Sequence, residues 1–329
     1  MLWLRTVLVL AVLAAALGTA ASATAAGTVG TTFPAGFAVP TDSSLGTPVL
    51  GFGAAGPVHR TPVIVLHGNN DTPYATACNP YGDVHALAQY LVDNGYGPSE
   101  VWGLGYQGDQ CDLIADPTLR SGAAHTTVAN VPDLDAFVRS VLEYTHSKQV
   151  DIVGHSLGGT LARAWMKADH TQELVRRLVQ IDAPNHGIID CSPDPANYWQ
   201  APANGGFTPS SPVCQEYGSP RTPFLRWLNG HGHGTEVHGK TDVLAIRNAD
   251  KSFVYFPLLD GLFPGVPAID SYGVPTDFSH SAELRGATTV NLTDQGVYDP
   301  FLGTSHLGIL NSPDTWAATL AFLTAEKVR

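Results

Sequence analysis

Residues 150–166 read VDIVGHSLGGTLARAWM, and two periodicities meet inside them. Val150, Ile152 and Val153 form a short β-branched apolar run, which predicts a buried strand. From Leu157 the apolar positions Leu161, Ala164, Trp165 and Ala168 fall at helical spacing, which predicts a helix. Between the periods stands Gly154-His155-Ser156-Leu157-Gly158, a G-x-S-x-G match. Such a turn from strand to helix strains its serine toward φ > 0 and holds the hydroxyl clear of the sheet. The helix that follows points free N–H groups into the space where an oxyanion would develop. Ser156 is therefore the candidate nucleophile. A serine in that role needs a base, an acid to orient the base, and a second oxyanion donor.

The segments on either side extend the α/β pattern. Upstream, Pro62 to Leu66 is a continuous apolar run, as expected of a parallel strand covered on both faces. It ends in His67-Gly68-Asn69-Asn70, a turn that belongs beside the nucleophile. The N–H of Asn69 is the expected second oxyanion donor, with that of Leu157 as the first. His67 is expected to hold this loop. Val84, Leu87, Ala88, Leu91 and Val92 mark a helix ended by Asn94-Gly95, and Val101 to Tyr106 mark a strand. Pro132-Asp133 is expected to open the next helix, with Leu134, Phe137, Val138, Val141 and Leu142 as its buried stripe. Strand and helix alternate, which implies a mostly parallel sheet with right-handed crossovers.

Downstream, Leu174 to Ile181 is the next strand and ends in Asp182-Ala183-Pro184-Asn185-His186-Gly187. Residues 188–240 are rich in Pro, Gly, Ser and Asn, with two cysteines and scattered aromatics. They are expected to be an insertion capping the C-terminal edge of the sheet. Val243 to Ile246 resumes the sheet and runs into Arg247-Asn248-Ala249-Asp250, so Asp250 is the expected acid, with Asp270 and Asp277 in reserve. Thr288 to Leu292 is the last strand. A loop then ends in Thr304 to Leu310, and Ser312-Pro313-Asp314 starts the closing helix. His306 is the expected base because it follows the acid and the last strand; His280 precedes that strand, and His186 precedes the acid. Candidate pocket residues are His155, Trp199, Phe207, Phe253, Phe256 and Leu307.

Composition bounds the setting. The chain has 329 residues, 44% of them hydrophobic, and a formal charge of −12. That charge argues against nucleic acid or an anionic membrane as partner. Residues 1–25 carry Arg5, about 11 apolar residues and then small-residue cleavage sites, which reads as a secretory signal peptide and falls short of the ~20 residues a membrane span needs. Residues 26–60 lack a period and are expected to wrap the surface as an extended arm, leaving 61–329 as the main domain. Four cysteines in an exported chain favour disulfides. Three pairings are possible; the sequential pairs Cys78–Cys111 and Cys191–Cys214 are expected. No C-x-x-C or H-x-x-x-H spacing appears, so no metal or cofactor is expected.

The stretches PVIVLHGNN, VDIVGHSLGG, DAPNHG, RNAD and TSHLGIL resemble the secreted bacterial lipases of the α/β-hydrolase superfamily. RTPVIVLHGNND, YLVDNGYGPSEVWGLGY and SKQVDIVGHSLGG also resemble the lipase-like extracellular polyhydroxyalkanoate depolymerases. Carried over by position, the resemblance implies an α/β-hydrolase fold with Ser156, Asp250 and His306 as triad. It implies a hydrophobic ester substrate, met at a lipid or polymer surface, with an acylglycerol first and an aliphatic polyester second. An acyltransferase or a non-catalytic binding protein are the readings from other classes. The sequence leaves the oligomeric state open.

Overall fold

Val63-Ile64-Val65-Leu66 forms a strand in which every residue is fully buried. Alternation sends Ile64 and Leu66 into one core and Val63 and Val65 into another, so the sheet has a hydrophobic layer on each face. The computed structural model describes residues 27–69, 71–79, 84–109, 126–193, 207, 209–230, 234–237, 239–250, 252, 254–255, 268–295 and 304–326. Its strands are β1 (Leu50–Phe52), β2 (Val63–Leu66), β3 (Val101–Gly105), β4 (Val150–His155), β5 (Val175–Ile181), β6 (Asp242–Asn248) and β7 (Thr288–Leu292). They form one sheet in the order β1-β3-β2-β4-β5-β6-β7. Only β1 runs antiparallel to its neighbour. The helices are α1 (Val84–Asp93), α2 (Thr127–Thr145), α3 (Leu157–Ala168), α4 (Pro212–Tyr217), α5 (Pro223–Leu228), α6 (Thr304–Leu310) and α7 (Pro313–Thr324).

One face of the sheet is covered by α2 and α3 through Leu134, Phe137, Val138, Val141, Leu161 and Trp165. The other is covered by α1 and α7 through Leu87, Leu91 and Leu323. Three expectations are corrected. Helix α2 starts at Thr127, capped by the Thr126 hydroxyl accepting from the Ala129 N–H at 3.3 Å, and Pro132 lies inside it. An interior proline costs about 3 kcal/mol, whereas each buried Leu, Phe or Val side chain contributes about 1.5–3 kcal/mol, so the four on α2 outweigh it. The arm is not wholly superficial: Leu50–Phe52 pairs with β3, and Phe37 packs on Trp102 with ring centroids 4.9 Å apart. A three-residue strand is too short to show a period. Lastly, Thr304–Leu310 is helix, not loop.

The described part of the insertion is tied down at the end of the sheet where the parallel strands finish. Glu216 of α4 accepts the Thr127 N–H at 2.7 Å, and Tyr217 Oη lies 2.6 Å from Thr160 Oγ1, close to the starts of α2 and α3. Cys191 and Cys214 are disulfide-bonded, as expected, with Cα atoms 5.5 Å apart. Cys78 is also disulfide-bonded. Its expected partner Cys111 lies outside the described residues, as do the signal-peptide segment 1–25 and the pocket candidates Trp199, Phe253 and Phe256.

Candidate active site

Strands β2, β4, β5 and β6 all point their C-terminal ends at one place, and the chemistry-bearing residues follow those ends. Ser156 caps α3 with φ 51° and ψ −125°, the strained backbone that the G-x-S-x-G spacing predicts. Its N–H donates to the Ile181 carbonyl at 2.9 Å, which pins the turn to β5. Both flanking glycines are required by space. A Cβ on Gly154 would stand 2.5 Å from the Gly159 nitrogen, and one on Gly158 would stand 2.5 Å from the His67 oxygen and 2.7 Å from that of Leu66. The Gly158 contact also shows how closely the turn after β2 abuts the serine turn.

That turn is held from behind. His67 Nδ1 lies 2.7 Å from the Gly68 carbonyl oxygen, its ring stacks on Tyr106 with centroids 4.1 Å apart, and the Tyr106 hydroxyl donates to the His67 carbonyl. Burial lowers the His67 pKa to about 4, so the ring is neutral and Nδ1–H is the donor. The next residue, Asn69, has its Oδ1 3.4 Å from Gln107 Nε2. The ideal Cβ position of Gly68 lies 3.1 Å from Ser156 Cβ, so the Asn69 turn and the serine face each other.

On the opposite side, His306 sits in α6, and its Nδ1 lies 2.7 Å from Asp182 Oδ2, with Asp182 fully buried and the imidazole about 10% exposed. Asp182 directly follows β5 with φ 49°. Its Oδ1 accepts the Asn248 N–H at 3.2 Å and its Oδ2 accepts the Ser252 hydroxyl at 2.6 Å. Tyr255, buried with its ring perpendicular to that of His306 and the centroids 6.3 Å apart, donates its hydroxyl to the Asp182 carbonyl. Three donors converge on one buried carboxylate and fix its orientation toward His306.

Asp250 is therefore corrected as the partner of His306. It is exposed, and its carboxylate accepts the Asp294 N–H at 3.3 Å. Strand β6 runs on to Asn248, two residues further than its apolar run, and delivers Asn248 and Ser252 to Asp182 in place of an acid. The reserves also sit elsewhere. Asp270 accepts from the Ser219 hydroxyl at 2.6 Å and Arg221 Nη1 at 2.7 Å, and Asp277 accepts from the Ser279 N–H at 2.9 Å. Sequence reading missed Asp182 although it satisfies the rule used for Asp250, a carboxylate just past a parallel strand. The ends of β5 and β6 both meet that rule, and the turn geometry that separates them is not visible in residue types.

Among the pocket candidates, His155 is buried with its Nε2 3.1 Å from the His306 carbonyl oxygen, so it backs the site and lines no open surface. Phe207 is half-buried and packs against the α2–α3 core. Leu307 is half-buried beside His306. His186 pairs with Glu236 at 3.0 Å, and His280 with Glu283 at 2.8 Å, both apart from Ser156. No group of three or more metal-ligating side chains occurs among the described residues.

Residues 60–241 match the family model described as Lipase (class 2). Among solved structures, the chain is similar to the mature form of the Bacillus licheniformis lipase BlEst2, with 18% identity, a TM-score of 0.55, and 84% of this chain and 98% of that one covered. Against the propeptide form the TM-score is 0.51 at 17% identity; 82% of this chain is covered, and it spans 53% of that longer chain. The esterase Est22 gives a TM-score of 0.50 at 15% identity, covering 88% and 79%. No curated protein matches the sequence. At these identities the solved structures establish a shared α/β-hydrolase architecture.

Proposed function

The chain belongs to the class 2 lipase family, and from that premise we propose that it is an exported serine hydrolase cleaving hydrophobic carboxylic esters through Ser156, His306 and Asp182. The observation that carries this reading is the 2.7 Å contact between His306 Nδ1 and buried Asp182, one strand from the strained Ser156. With Nδ1–H committed to Asp182, the Nε2 lone pair of His306 is left to act as base. It takes the Ser156 proton as Oγ attacks the ester carbonyl carbon. The carbonyl π electrons move onto oxygen, and the N–H groups of Asn69 and Leu157 receive that charge. Collapse breaks the ester C–O bond, and the alcohol leaves with the proton returned by His306. Water, deprotonated by the same nitrogen, then releases the acid and restores Ser156. Each oxyanion donor contributes about 3 kcal/mol in such sites.

Acylglycerols are the proposed substrate class, on family membership and on the resemblance of the strand-end motifs. Export is supported by the leader-like residues 1–25 and by the Cys191–Cys214 disulfide. No helix among the described residues is long and apolar enough to cross a membrane. The test is release of acid from p-nitrophenyl esters of increasing acyl length, a triglyceride emulsion and polyhydroxybutyrate granules. Ser156→Ala is expected to lose about 10⁶-fold in kcat. Triglyceride cleavage upholds the acylglycerol reading, and granule cleavage alone moves it to polyester. A Ser156→Ala variant as active as wild type overturns the serine mechanism.

A further inference from the structure

We infer that His155 is a positioning residue: its Nε2–H, donated to the main-chain carbonyl of His306, sets where the His306 imidazole stands between Ser156 and Asp182. The inference rests on the triad reading above and assigns a task to the variable position of the G-x-S-x-G turn.

The donor direction follows from the partner. A carbonyl oxygen only accepts, so at 3.1 Å the proton must sit on His155 Nε2. Nδ1 then carries the lone pair, and it is buried without a hydrogen-bond partner, so a second proton there would have no acceptor. The ring is thus a neutral, single-tautomer donor. Burial, and the neighbouring His306, hold its pKa well below the usual histidine range. Neutrality matters because the two imidazoles lie 4.6 Å apart, and a charged His155 would oppose the imidazolium that His306 must become.

The mechanical argument concerns what anchors His306. It lies in α6, a helix of seven residues, while His155 is the last residue of β4 and is paired with Ile181 of β5. Asn248, the last residue of β6, donates to the Ser305 carbonyl at 3.1 Å. Side chains from β4 and β6 therefore grip two successive carbonyls of the α6 first turn, and Asp182 grips the ring itself. The ideal Cβ position of Gly68 is 3.1 Å from His155 Nδ1, so the same ring also backs the oxyanion turn. One rigid side chain thus registers base, nucleophile and oxyanion turn to the sheet, where a displacement of about 1 Å costs about 10²-fold in rate.

The test compares His155→Phe, which keeps a ring and removes the donor, with His155→Gln, whose Nε2 can reach the same carbonyl. Each is assayed for kcat and KM on p-nitrophenyl butyrate, for thermal unfolding, and by proton NMR for the far-downfield His306 Nδ1 proton shared with Asp182. Phe is expected to lower kcat by about 10²-fold with KM within about twofold, and to broaden the downfield proton. Gln is expected to restore both. The inference is overturned if Phe matches wild type, or if Gln, folded, is as slow as Phe. If Phe does not fold, Gln alone decides by keeping or losing kcat. A wild type that hydrolyses no ester, yet shows the downfield proton perturbed by Phe and restored by Gln, would remove the proposed function and leave the positioning role standing.

Discussion

Asp182 and Asp250 stand just past the ends of adjacent parallel strands, β5 and β6, and meet opposite environments. Asp182 is fully buried and receives donors from Asn248, Ser252 and His306; Asp250 is exposed and accepts one N–H from Asp294. The strand end that lacks the inward acid supplies the donors that serve the other. Asn248 closes β6 and Ser252 follows it, so β6 works on the site through Asp182. The two aspartates thus share their position just past a strand end, and what separates them is the turn that buries one among donors and exposes the other.

The largest effect separates the two carboxylates directly. Asp182→Asn is expected to lower kcat by about 10⁴-fold, because an amide at that place stabilises the wrong His306 tautomer while preserving shape. Asp250→Asn is expected to stay within about twofold. Steady-state kinetics on p-nitrophenyl butyrate, with circular dichroism to verify folding, checks both. The reverse ranking would return the acid to β6.

A smaller effect sharpens the comparison from the donor side. Ser252→Ala removes the 2.6 Å hydroxyl bond to Asp182 Oδ2. Hydrogen bonds to charged groups are worth about 1.5–3 kcal/mol, and the part realised in the transition state is expected to lower kcat by about tenfold. Since the hydroxyl acts through the carboxylate, Ser252→Ala should add little in an Asp182→Asn background. Additive losses in that double-mutant cycle would mean that Ser252 acts independently.

The same contrast measures how far the sequence could be read. The sheet was legible because its signal is local: Val63–Leu66 is an unbroken apolar run, Val150, Ile152 and Val153 are β-branched, and Leu157 to Trp165 switches period where the helix begins. Ser156 was legible because two glycines and a serine at fixed spacing describe a steric requirement, which the 2.5 Å approach at Gly158 meets. His306 was singled out by chain order, and its Nδ1 lies 2.7 Å from a buried carboxylate at a strand end. Asp182 was not, since its selection depends on a φ of 49° and on side chains brought from β6 and α6, none of which leaves a mark on neighbouring residue types. The helical state of Thr304–Leu310 was hidden for a related reason: one short segment containing Gly308 has little helical propensity of its own and is held by contacts with β6 and α7.

A third aspartate offers the finest test, because it is buried like Asp182 but without its donors. Asp190 precedes Cys191 in the insertion; its Oδ2 has no hydrogen-bond partner, and burial raises its pKa from 3.8 to about 8. The folded protein therefore keeps this proton up to about pH 8, while the unfolded chain releases it above about pH 4. Across that window the folded state holds the extra proton, so this group makes stability fall as pH rises. Other raised carboxylates, such as Glu216 with a pKa of about 7, act in the same direction, so the slope of wild type alone does not isolate Asp190. Asp190→Asn does, since the amide is neutral throughout. The unfolding free energy of the variant minus that of wild type, from urea melts at several pH values, is expected to grow from about pH 4 to about pH 8 and then level, with kcat unchanged at each pH. Parallel curves would mean that Asp190 ionises as an ordinary carboxylate in spite of its burial.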